Sequence, residues 1–129
     1  MEGIKIEATK STPYVEFDPA ASKFTIVGQS YPENAFKFYE SILAAAAAYL
    51  EGRVSADPIA VELQLSYINT SSTKCLIMLL ELFEEAHRRD RDVQVIWYHN
   101  PDNESELECA EEFKEDLDLP FRIIAKKAE

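Results

Sequence analysis

Four hydroxyl side chains follow one another at Thr70-Ser71-Ser72-Thr73, with Asn69 before them and Lys74 after. Upstream, Ile59-Ala60-Val61-Glu62-Leu63-Gln64-Leu65-Ser66-Tyr67 alternates, with its large apolar residues at odd positions. Downstream, from Cys75 to His87, apolar residues return at helical spacing. The period switches from 2 to about 3.6 across the hydroxyl run. Hydroxyls at a strand-to-helix junction can do two kinds of chemistry. They can cap, a side-chain oxygen accepting the free N–H groups of the helix's first turn. They can also accept a phosphate, which those N–H groups and the helix dipole stabilise. Thr70, at the rim of the sheet, is the candidate acceptor, with Asn69, Ser71 and Ser72 framing it. A phosphate there adds about −1.5 to −2 charges, enough to toggle binding without refolding the domain.

Other chemistry is poorly supplied. With three glycines in the chain, there is no phosphate-cradling glycine loop and no nucleophile elbow. His87 and His99 fall in different elements, and neither has a Cys or carboxylate at metal-ligand spacing. Cys75 and Cys109 sit inside helix-like segments and read as buried free thiols suited to a reducing cytosol. The acidic segment from Glu104 to Glu115 reads as a solvated helix face rather than as paired catalytic carboxylates. The residues point to a non-enzyme without cofactor or metal.

The elements that must position the hydroxyls follow from the patterning. Ile4 to Ala8, Tyr14 to Phe17 and Phe24 to Gly28 are short alternating runs, the last two predicting an antiparallel hairpin. A first helix is predicted to open at Ser30-Tyr31-Pro32-Glu33, with Ser30 and Glu33 as a capping box. Its apolar stripe is Phe36, Tyr39, Leu43, Ala46 or Ala47, and Leu50, and Gly52 ends it. The strand from 59 to 67 has polar even positions, so one sheet face is covered and the other is partly wet. The second helix, about Ser71 to Arg89, buries Cys75, Leu79, Leu82, Phe83 and Ala86, widened by Leu76 and Leu80. A strand over Val93 to Tyr98 leads to a turn, where Asn103 and Glu106 repeat the capping box. The third helix turns Leu107, Ala110, Phe113 and Leu117 inward, Pro120 stops it, and Phe121 to Ile124 is the last strand. The predicted fold is α/β, a mixed sheet with helices mainly on one face and chain order β-β-β-α-β-α-β-α-β.

The 129 residues suit one domain, 1–129, large enough to bury a core. A net charge of −11 disfavours nucleic acid and anionic lipid as partners. No apolar run approaches a membrane span, and Met1-Glu2-Gly3-Ile4-Lys5 lacks a signal peptide's pattern, so a cytoplasmic protein is expected.

The strand-turn-helix resembles the STAS domains of anti-sigma-factor antagonists, where a Ser at the start of a helix is phosphorylated after a central strand. Asn69-Thr70-Ser71 occupies that turn here. A closer resemblance is to the SiaC family of bacterial regulatory phosphoproteins. It rests on Ser11-Thr12-Pro13 with Glu16-Phe17, on Ser30-Tyr31-Pro32-Glu33-Asn34, and on Tyr67 with Asn69-Thr70-Ser71-Ser72-Thr73-Lys74. It continues through Glu84-Glu85-Ala86-His87, Trp97-Tyr98 and Glu115-Asp116-Leu117-Asp118-Leu119-Pro120-Phe121. The resemblance implies a non-catalytic switch. It implies Thr70 as the substrate of a serine/threonine kinase and a PP2C-type phosphatase. It also implies an unphosphorylated form that activates a diguanylate cyclase, in cyclic-di-GMP and biofilm signalling. Tyr31, Pro32, Glu33, Asn34 and Tyr67 are the candidate partner surface.

Two other readings compete. A constitutive scaffold would bind through the alanine-rich first helix or the Tyr31-Pro32 entry, indifferent to phosphate. A small-ligand or nucleotide module would use the aromatic residues Tyr31, Trp97 and Tyr98.

Overall fold

Parallel crossovers that all step the same way decide the architecture. The computed structural model describes residues 3–52 and 57–127. Strands β1 (Ile4–Ile6), β2 (Tyr14–Asp18) and β3 (Lys23–Ser30) form an antiparallel meander. Helix α1 (Ala35–Gly52) then leads to β4 (Ile59–Ile68), α2 (Thr70–Arg88) to β5 (Val93–His99), and α3 (Glu104–Glu115) to β6 (Phe121–Ala125). The strands lie side by side in chain order, and β3 to β6 are parallel. Crossovers of one hand stepping in one direction put their helices on one face. Burial follows that layering. Ile59, Val61, Leu63 and Leu65 are buried on β4, whereas Ala60, Glu62 and Gln64 are only half-buried. Lys23 pairs with Glu62 at 3.5 Å on the open face.

The covered face is aromatic at both ends. Phe17 and Phe24, paired across β2 and β3, stack at 3.8 Å, with the Phe83 ring edge-on to Phe24 at 4.8 Å. Toward the β6 edge, Trp97 packs on Phe113 at 4.9 Å and on Phe121 at 6.1 Å. Burial of such rings, each roughly 150–250 Å², is the main attraction holding the helices to the sheet.

The start of α1 differs from the expected capping box. Ser30 is the last residue of β3, and Asn34 is the cap, its Oδ1 accepting the Lys37 N–H at 3.1 Å. The reason is local. A residue before proline avoids the α region, so Tyr31 cannot be helical ahead of Pro32. With the later start, the buried stripe is Ala35, Tyr39, Ile42, Ala46 and Tyr49, and Phe36 is 53% exposed. Leu43 and Leu50 pack at its margin. On α2, Leu82 is likewise marginal, and Ser72 and Glu84 join the buried set.

At α3, Asn103 caps as expected, its Oδ1 accepting the Ser105 N–H at 3.1 Å. The reciprocal half of the box is altered. The Asn103 N–H already donates to the Asn100 carbonyl, so Glu106 accepts instead from the Asn100 N–H (3.0 Å) and the Asn103 side-chain amide (3.1 Å). Glu106 therefore takes the buried place on α3, with Ala110 and Phe113, while Leu107 is half-buried. Among the described residues, no helix is long and apolar enough to cross a membrane.

Candidate functional site

Strands β3 and β4 end together, Ser30 beside Ile68, and the Asn69 N–H donates to the Ser30 carbonyl at 2.9 Å. Both exits, Tyr31-Pro32 and Asn69-Thr70, thus share the C-terminal rim of the parallel strands. That rim is where open sheets of this kind commonly present function.

Asn69 settles which residue caps. It is extended (φ −78°, ψ 171°), and its Oδ1 accepts the Ser72 N–H at 2.8 Å. Its carbonyl takes both the Thr73 N–H (2.9 Å) and the Thr73 hydroxyl (3.0 Å). Ser72 is fully buried, its hydroxyl held by that of Ser30 at 2.8 Å. Thr73 and Ser72 are therefore committed to the fold. Thr70 and Ser71 are exposed, and no hydrogen bond among the described residues engages the Thr70 hydroxyl. The cap and the exposed hydroxyl belong to different residues. The first turn of α2 also carries no acidic side chain, so the positive helix end is uncompensated and favours an anion.

The candidate partner residues meet beside this turn. Between Leu65, paired with Gly28, and Tyr67, paired with Gln29, β4 carries one extra residue, Ser66, whose hydroxyl donates to the Gly28 carbonyl at 3.4 Å. The bulge reverses the side on which later residues emerge. Tyr67 would share Leu65's inward parity; instead it is 54% exposed, and Ile68 packs toward the core. The Tyr67 ring meets that of Tyr31 edge-on, centroids 5.8 Å apart. Pro32 is half-buried, and Glu33 and Asn34 are exposed beyond it. The Tyr31 N–H donates to the Ser11 carbonyl at 2.7 Å, and Pro13 lies over Gly28, so the Ser11-Thr12-Pro13 strap braces the same rim.

Sequence reasoning missed a buried chain of hydroxyls: Tyr39, Ser30 and Ser72, with 2.7 Å between Tyr39 and Ser30. Its signal was the inward parity of β3, Phe24, Ile26 and then Ser30, which the capping-box pattern overrode. Burial pushes the Tyr39 hydroxyl up to about 12, and Cys75 adds to the rise.

The aromatic ligand patch does not assemble. Trp97 is fully buried on the covered face, and Tyr98, next along the strand, lies on the open face under Lys126, 4.8 Å from its ring. Cys75 is buried, whereas Cys109 is only half-buried, and both are free thiols. Burial, with Glu112 and Glu106 nearby, pushes the Cys109 thiol up to about 11. Among the described residues, no cluster of His, Cys, Asp or Glu is arranged to hold a metal.

A sheet covered on one face, with an exposed hydroxyl at a helix mouth and an aromatic pair beside it, matches a family of regulatory phosphoproteins. The chain belongs to the SiaC family: residues 6–126 match the family described as SiaC family regulatory phosphoprotein. It is 37% identical over 125 residues to an uncharacterized protein of Pseudomonas aeruginosa (strain UCBPP-PA14), covering 97% of this chain and 98% of that one. The solved structure of SiaC of Pseudomonas aeruginosa superposes with a TM-score of 0.89 at 35% identity, over 98% of this chain and 100% of that one. So does SiaC in the crystal structure of the diguanylate cyclase SiaD in complex with its activator SiaC from Pseudomonas aeruginosa. There the TM-score is 0.89 at 36% identity, over 95% and 99% of the two chains.

Proposed function

We propose that this chain is a cytoplasmic switch working as one domain, whose binding to an output enzyme is toggled by phosphate on Thr70. The observation that carries the reading is the division of labour at the head of α2. Asn69 caps the helix, Ser72 and Thr73 are tied into the fold, and Thr70 stays exposed, its hydroxyl unengaged among the described residues. A serine/threonine kinase reaches that hydroxyl, and a PP2C-type phosphatase restores it.

The unphosphorylated form binds and activates a diguanylate cyclase. Support for that partner comes from SiaC, the activator in the SiaD complex, with which this chain shares its fold over nearly its whole length. The binding surface is built from Tyr31, Pro32, Glu33, Asn34 and Tyr67, next to the acceptor turn. A phosphate at its border brings about −1.5 to −2 charges, and desolvating them against a docked partner opposes binding.

The test is direct. Incubation with the kinase from the same organism and ATP adds one phosphate by intact mass, and Thr70→Ala adds none. Equal labelling of the variant would move the acceptor elsewhere, Ser71 being the other exposed hydroxyl of the turn.

A further inference from the structure

The phosphoacceptor and the aromatic pair are joined inside the protein by three hydroxyls that are wholly withdrawn from water. Ser30 donates to Ser72 at 2.8 Å, and Ser30 and Tyr39 share a hydrogen bond of 2.7 Å. Ser30 has one proton, and it is spent on Ser72, so Tyr39 is the donor in the second bond. The chain links three elements: the first turn of α2, the end of β3 and the second turn of α1. Ser72 lies two residues from Thr70, and Ser30 is bonded directly to Tyr31.

We infer that this hydroxyl chain is a positioning relay, carrying the state of Thr70 to the Tyr31–Tyr67 surface and to the start of α1. The inference rests on Thr70 as the phosphoacceptor. The Ser72 N–H is now held by the Asn69 side chain at 2.8 Å. A phosphate on Thr70 places three strong acceptor oxygens within a turn of that N–H and competes for it. Ser72 cannot adjust alone, because its side chain is held from within. Breaking that bond in an apolar interior leaves Ser30 without its acceptor, which is costlier than moving the chain as a unit. The displacement therefore passes to Ser30, to Tyr31 beside it, and to Tyr39.

Placing phosphothreonine at position 70 during translation tests the relay without depending on any kinase. Chains with and without the phosphate are compared in the parent, Ser72→Ala, Ser30→Ala and Tyr39→Phe backgrounds. Ring resonances of Tyr31 and Tyr67, and amide exchange over Ala35 to Tyr39, are read in each. In the parent, phosphate shifts both rings and changes exchange in the first turns of α1. In the three variants the response stays within the first turn of α2. Tyr39→Phe keeps the ring and removes only the hydroxyl, so it serves should a serine variant fail to fold. Loss of thermal stability with an undiminished response at Tyr31 would make the hydroxyls merely structural and overturn the relay. A parent response confined to α2 would overturn it too. Failure of Thr70 as the natural acceptor is read separately, by kinase labelling.

Discussion

Asn69 and Thr70 are adjacent and differently placed: Asn69 caps α2, and Thr70 is exposed beside it. Replacing Asn69 by Ala removes the acceptor for the Ser72 N–H and is expected to cost about 1 kcal/mol, with Gly costing only a few tenths. Urea denaturation measures both, and equal losses for Ala and Gly would contradict the capping role. Tyr39 gives a pH dependence. Its hydroxyl ionises near 10 in the unfolded chain and is held neutral to about 12 in the fold. Above pH 10 the unfolded state loses the proton first, so stability falls as pH rises from about 10 to 12. The urea midpoint tracks this fall, and Tyr39→Phe should flatten it relative to the parent. The strand-to-helix turn was legible because the hydrophobic period changes across it. Ser30 was not, because two local patterns competed for it. A Ser three residues before a Glu suggests a capping box, but the proline between them forbids the helical Tyr31 that the box requires.

At the scale of elements, the bulge decides what the site presents. Alternation along β4 runs unbroken through Tyr67 in the sequence, and counting by twos does not reveal an inserted residue. The expectation that Tyr67 belongs to the partner surface came from resemblance, and the bulge supplies the reason that its ring is outside. Gly28 sits at this irregularity with φ 128°, a conformation that L side chains rarely adopt. Gly28→Ala is expected to cost about 1–3 kcal/mol in backbone strain. It should also disturb the Tyr31–Tyr67 contact, visible as a change in tyrosine ring resonances. A fully stable variant with unchanged resonances would remove the bulge from the account. Helix positions were legible to within a few residues, since long amphipathic segments carry redundant signal. On α1 the buried stripe differs from the expected one, Ile42 and Tyr49 lying inside where Leu43 and Leu50 were expected.

For the whole molecule, strand order follows from chain order once the crossovers are known to be parallel and of one hand. The polar even positions of β4 signalled the open face in advance. Contacts between distant segments were not legible: Tyr31 with Tyr67, Ser30 with Ser72, and the Ser11 strap each join residues that no local pattern relates. The central claim is that phosphate on Thr70 switches off activation of a diguanylate cyclase, and cyclic-di-GMP synthesis by the cyclase of the same organism tests it most directly. The unphosphorylated chain and Thr70→Ala should both stimulate the enzyme, and the chain carrying phosphothreonine at position 70 should not. Equal stimulation by all three would contradict the switch.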